Sequence, residues 1–165
     1  MKTHSPAVQQ EIWGHLLDVA RMHRFVMALE HRCNRLVLLM RYMTYLASSG
    51  IVGTLIAKVE VPAAESLALL ITAIVILNHV LKPGPRALKL HYIRVGLQRV
   101  ETRYRHLWEE VNRAGSEITI EEAREASISL IEERDRHIES ITIKDEKLNK
   151  KCARETYAVE AQRYT

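Results

Sequence analysis

Three polar residues recur every seven positions inside an apolar stretch: Glu65, Thr72 and His79. Seven residues are nearly two helical turns, so on a helix they form one stripe, bordered by Ala68, Val75 and Ile76. In an oligomer, rings of such groups line a conduit, and Glu65, Thr72, Ile76 and His79 are the candidate pore-lining residues. The same stripe suits plain hairpin packing, with Thr72 bonding its own backbone, and the residues leave both readings open. A second row, Lys89, Tyr92, Gly96, Arg99, Arg103 and His106, alternates three and four apart. Cations beside an aromatic ring can hold an anionic ligand, which makes Tyr92, Arg99, Arg103 and His106 candidate ligand-binding residues, with Tyr92 stacking a base. The competing role for this row is ion pairing with tail carboxylates such as Glu132 and Glu133. Ser49, Gly53 and Ala57, four apart, form a small-residue face suited to close contact between spans.

Other chemistries lack their residues. There is no GxxxxGK[ST], no GxSxG and no glycine-rich loop. The carboxylate pairs Glu109-Glu110, Glu121-Glu122 and Glu132-Glu133 are adjacent, so on a helix their side chains diverge by about 100° and cannot share a substrate. Cys33 and Cys152 are 119 residues apart, and the 8 histidines show no metal-binding spacing. No catalytic residue, metal or cofactor is expected, and a reducing compartment is.

These residues need helices to hold them. The chain has 165 residues, 47% hydrophobic yet only 5% aromatic, with 6 Gly and 4 Pro, which favours an all-α protein. The apolar residues are segregated. Residues 36–57 carry one charge, Arg41, and residues 66–81 carry none. At about 1.5 Å per residue these lengths match a bilayer core of about 30 Å, the second only just. The expectation is a two-helix transmembrane hairpin over residues 36–81, between a cytoplasmic N-terminal helix (1–35) and a cytoplasmic helical regulatory and oligomerisation region (82–165). Arginines and lysines crowd both outer flanks and are scarce in the loop between the blocks, which places both termini in the cytoplasm.

Ser5-Pro6 reads as an N-cap and first helical position, opening a helix that runs into the first block. Lys82-Pro83-Gly84-Pro85 reads as a break, with a long helix from near Arg86. Its apolar residues Leu90, Ile93, Leu97, Val100, Tyr104, Leu107 and Val111 make a heptad seam. That seam serves coiled-coil oligomerisation or antiparallel packing within one subunit. Gly115-Ser116 ends the helix. Thr119-Ile120-Glu121-Glu122 is a capping box opening another, which carries Ala123, Ser127, Leu130, Ile131, Ile138 and Ile141. A last helix is expected from Asp145 to about Gln162. Residues 1–105 hold 14 basic and 6 acidic groups, residues 106–165 hold 10 and 14, so the two parts can fold back on each other.

A helical N-terminus, a two-span hairpin with a tiny outer loop and a helical tail of about 80 residues resemble the SLATT family, the SMODS and SLOG-associating two-transmembrane effectors of bacterial conflict systems. Trp13, the Arg24-Phe25 region before the first block and the alanines Ala153, Ala158 and Ala161 add to the resemblance. It implies a homo-oligomeric pore in the bacterial inner membrane that depolarises infected cells. It further implies control by a nucleotide or short oligonucleotide made by a partner enzyme. A non-conducting membrane-anchored scaffold and a six-helix bundle outside the membrane are the rival architectures.

Overall fold

The computed structural model describes residues 6–48, 61–81, 83–113, 117–139, 141 and 145–164, with side chains throughout except at 44, 46–48, 61–68, 70, 78, 83 and 164. The all-α expectation holds: every element among the described residues is a helix. These are α1 (Pro6–Ser48), α2 (Val61–Leu81), α3 (Pro83–Asn112), α4 (Ile120–Ile138) and α5 (Glu146–Tyr164). The chain divides into two compact units, residues 1–28 with 90–165, and residues 29–89.

The first unit is a helical bundle. Val8, Ile12, Leu16 and Val19 come from α1, and Val100, Tyr104, Leu107 and Val111 from α3. Ala123 and Leu130 of α4 close a common core, with Trp13 and Trp108 at its edge. The two indoles lie 5.0 Å apart between centroids. The heptad seam is therefore used inside the chain. All seven of its residues are buried, and Leu97, Val100 and Tyr104 are wholly so. Of the two uses open to the seam, the structure shows packing within one subunit. The Tyr104 hydroxyl donates to the Ser127 carbonyl of α4 at 2.9 Å. Burial raises the pKa of this phenol, against the lowering effect of its Ser127 bond.

Local signals set the helix ends. Pro6 opens α1, where a missing N–H does no harm. The Ser5 cap lies outside the described residues, as does Gly115-Ser116. α3 begins at Pro83 and not near Arg86; proline in the first turn has no hydrogen bond to lose, so the Pro-Gly-Pro sequence starts the helix instead of preceding it. The Thr119 capping box forms as expected: Glu122 N–H donates to the Thr119 hydroxyl oxygen and Thr119 N–H to the Glu122 carboxylate. α4 ends at Ile138, so Ile141 lies beyond it and bonds back to the Ile138 carbonyl at 2.7 Å. Asp145 caps α5 by accepting from the Leu148 N–H at 2.9 Å.

The second unit comprises the later part of α1, α2 and the start of α3. Along α2, Leu69, Val75, Ile76, Leu77 and Val80 are all exposed, Leu69 to 71%. Leu38, Leu39, Tyr42 and Tyr45 of α1 are exposed too. Among the described residues no helix is long and apolar enough to cross a membrane. Residues 49–57 of the first apolar block lie outside the described residues, and Val61-Pro62-Ala63, expected as the tip of the loop between the blocks, instead form the first turn of α2, where proline has no hydrogen bond to lose.

Candidate functional site

One cluster of polar side chains in the bundle lies where α1, α3 and α5 meet. α5 turns Leu148, Cys152, Thr156 and Glu160 inward, each four residues after the last, as helical geometry requires of one face. The first two are apolar. The last two are a hydroxyl and a carboxylate with almost no exposure.

Three guanidinium groups converge on the Glu160 carboxylate. Arg105 of α3 donates to Oε1 at 2.8 Å, Arg24 of α1 lies 3.7 Å from the same oxygen, and Arg163 lies 3.8 Å from Oε2. Arg105 also donates to Glu101 Oε1 at 2.5 Å, and His23 Nδ1 donates to Glu101 Oε2 at 2.5 Å. Burial by itself would raise the Glu101 pKa. The His23 and Arg105 hydrogen bonds and charges outweigh burial and hold the carboxyl below its usual value. For Arg105, burial favours the neutral form, but Glu101 and Glu160 outweigh it and raise its pKa.

The cluster carries more hydrogen-bonding groups than it uses. Arg24 Nη1, Arg105 Nη1, His23 Nε2, Thr156 Oγ1 and Glu160 Oε2 are buried without a hydrogen-bond partner from the protein. Groups of this kind are rare in folded chains and mark a place held for water, for a ligand or for a change of state.

Beside it, an open cavity of about 460 Å³ lies between α1 and α5, with Arg24, Lys151 and Glu155 as its charged groups and Met27, Leu148 and Val159 among its apolar walls. A neighbouring cavity of about 310 Å³ is bordered by Asp145 and Glu146, and a third presents Glu132, Asp135 and Glu139 with Arg136. Of the three, the first alone shows more cationic than acidic side chains.

The residues picked from spacing lie elsewhere. Tyr92, Arg99, Arg103 and His106 are all exposed along α3. Arg103 donates to Glu133 Oε2 at 2.5 Å, the pairing weighed against a ligand role. Gly96, within the same row, is covered: an added Cβ would come 2.4 Å from the His137 ring, so that ring occupies the middle of the row. Thr72, Ile76 and His79 share an exposed side of α2, and the Glu65 side chain lies outside the described residues. Ser49, Gly53 and Ala57 lie outside them as well. Cys33 and Cys152 form no disulfide, and no group of three or more metal-ligating side chains occurs among the described residues.

The cluster at Glu160 was not singled out by motif or spacing. Its one trace in the sequence is the row Leu148, Cys152, Thr156, Glu160, in which a buried stripe runs into a carboxylate. Arg24 registers in the sequence merely as one of several basic residues before the first apolar block.

Compared with known proteins, the chain matches no family model, no curated protein and no solved structure.

Proposed function

We propose that this chain is a membrane effector of the SLATT kind, in which residues 29–89 enter the bacterial inner membrane and the bundle of residues 6–28 and 90–164 controls them. The observation that carries the reading is the exposed apolar surface of α2. Leu69, Val75, Ile76, Leu77 and Val80 are each at least half exposed, and at about 100° per residue they cover more than half of the helix circumference. Taking such side chains out of water is favourable by about 1.5–3 kcal/mol each. A helix apolar around most of its girth wants lipid or protein on every side. α2 is 21 residues long, with Glu65 its one acidic residue.

Thr72 and His79 lie on the exposed side of α2, within reach of water or of the same groups of other copies. Rings of Thr72, Ile76 and His79, with Glu65 at the far end, are the proposed conducting surface of a homo-oligomer. The defence role and the control by a nucleotide signal follow from the resemblance to the SLATT family. A signal acts on such an assembly by binding its open and closed states unequally.

Two measurements test the reading in sequence. Alkaline carbonate extraction of bacterial membranes should leave the chain in the pellet; release into the supernatant sinks the membrane assignment. Membrane potential after induction should then fall, and Thr72→Leu with His79→Leu should restore it. Stable insertion with no change in potential, with or without the bundle's regulators, would favour the non-conducting scaffold.

A further inference from the structure

We propose that the open cavity between α1 and α5 is a binding site for a small organic phosphate, with Arg24 and Lys151 as its phosphate-holding residues. This deepens the signalling half of the function proposed above by naming a site. It does not depend on whether residues 29–89 enter a bilayer.

The cavity has the size and lining of a ligand site. Its volume of about 460 Å³ falls within the few hundred to a thousand Å³ typical of small-molecule pockets, which are apolar with a few placed polar groups. Met27, Leu148 and Val159 supply the apolar surface, and Arg24 and Lys151 supply the charge. Bare inorganic phosphate would leave that apolar surface wet, so a phosphate carrying a ring or chain fits better.

The two cations are incompletely used. Arg24 stands 3.7 Å from Glu160, too long for a good hydrogen bond, and its Nη1 is buried with no acceptor. Lys151 faces Glu155 at 3.7 Å across a largely exposed pair, a contact of little strength. A phosphate presents several anionic oxygens, and charge-assisted bonds from a guanidinium are about twice as strong as neutral ones. Glu155 at the rim opposes the anion, and the two cations outnumber it.

Arg24 belongs to both the cavity and the Glu160 cluster. A phosphate in the cavity therefore competes with Glu160 for one guanidinium. Its binding loosens a contact that holds α5 against α1, and a chain with α5 loosened binds it better. That reciprocity is what links occupancy of the site to the state of the bundle.

The test is calorimetric titration of the full chain in detergent micelles with AMP, with glycerol 3-phosphate as a soluble lipid headgroup, and with inorganic phosphate. AMP is expected to bind, with inorganic phosphate at least about tenfold weaker. Lys151→Gln and Arg24→Gln should each weaken AMP about tenfold, the loss of one charge-assisted contact. Glu155→Gln should tighten it. Lys151 is mostly exposed, so its variant keeps the fold even if Arg24→Gln does not. Heat from glycerol 3-phosphate that Lys151→Gln abolishes, without heat from AMP, keeps the phosphate site and assigns the phosphate to a lipid headgroup. Absence of both signals, or equal binding by wild type and Lys151→Gln, overturns the proposal.

Discussion

A carboxylate with no solvent exposure is an expensive residue, and Glu160 is kept in place by Arg105, Arg24 and Arg163. Removing one partner of a buried ion pair costs more than the pair itself contributes, because the other charges stay behind uncompensated. Glu160→Ala should lower the stability of the bundle by about 3 kcal/mol, read from urea unfolding followed by Trp13 and Trp108 fluorescence, since both indoles pack against the bundle core. An unchanged midpoint would mean that water already satisfies the arginines. Thr156→Val should act in the opposite direction. The hydroxyl is buried without a partner, so replacing it by a methyl of the same shape should be neutral or stabilise by up to about 1 kcal/mol. Glu101 sets a pH dependence. Its folded pKa lies below the usual carboxylate value of 4.5, so its contribution is complete above that value and is lost as pH falls through the folded pKa. Melting temperature should fall on acidification below about pH 4.5, and Glu101→Gln should flatten that limb while lowering stability at pH 7. Glu101 and Arg105 belong to one helix, four residues apart, and their pairing is visible in the sequence. Their partners His23 and Glu160 lie far along the chain, on other helices, and no spacing rule reaches them.

At the scale of elements, α3 shows how one face is chosen by its neighbours. Its heptad seam was readable from periodicity, because any helix with that pattern must bury it. The exposed row beside the seam was readable as a row, but not as a surface broken at Gly96 by the His137 ring. That contact predicts a non-additive pair. Alanine in a helix interior is favoured over glycine by about 1 kcal/mol. In a His137→Ala background, Gly96→Ala should recover most of that gain. In the wild-type background it should recover less, because the imidazole must first move. Additivity of the two changes would show that the ring does not sit on Gly96 in solution. α4 depends on its cap: Thr119→Ala should cost about 1 kcal/mol, detectable as earlier hydrogen exchange in the first turn of that helix. Here the sequence is a complete guide, since the capping box is local and both of its bonds form within four residues.

At the scale of the whole molecule, the bundle buries a common core and leaves scattered side chains such as Ile128 and Tyr157 exposed, whereas α2 exposes Leu69, Val75, Ile76, Leu77 and Val80 along one helix. This asymmetry supports the proposed entry of residues 29–89 into a bilayer. Charges placed on the exposed side of α2 should oppose entry, since a carboxylate at the centre of a span costs about 2.5–3.5 kcal/mol. Ile76→Asp with Val80→Asp should therefore move the chain out of the carbonate-resistant membrane fraction while Trp13 and Trp108 keep their native fluorescence. Retention in the membrane would show that α2 is not what anchors it. The helices themselves, the capping of α4, the buried seam and the segregation of apolar from charged stretches were all determined by the sequence alone, because each arises from residues within a few turns of one another. Tertiary structure alone decided that the seam packs within one chain, that His137 covers Gly96, that Arg103 is engaged by Glu133, and that Arg24, Arg105 and Glu160 meet beside an open cavity. The ion pairs among these contacts join residues 30 or more positions apart. The energy of each depends on which helices become neighbours, and local periodicity carries no record of that choice.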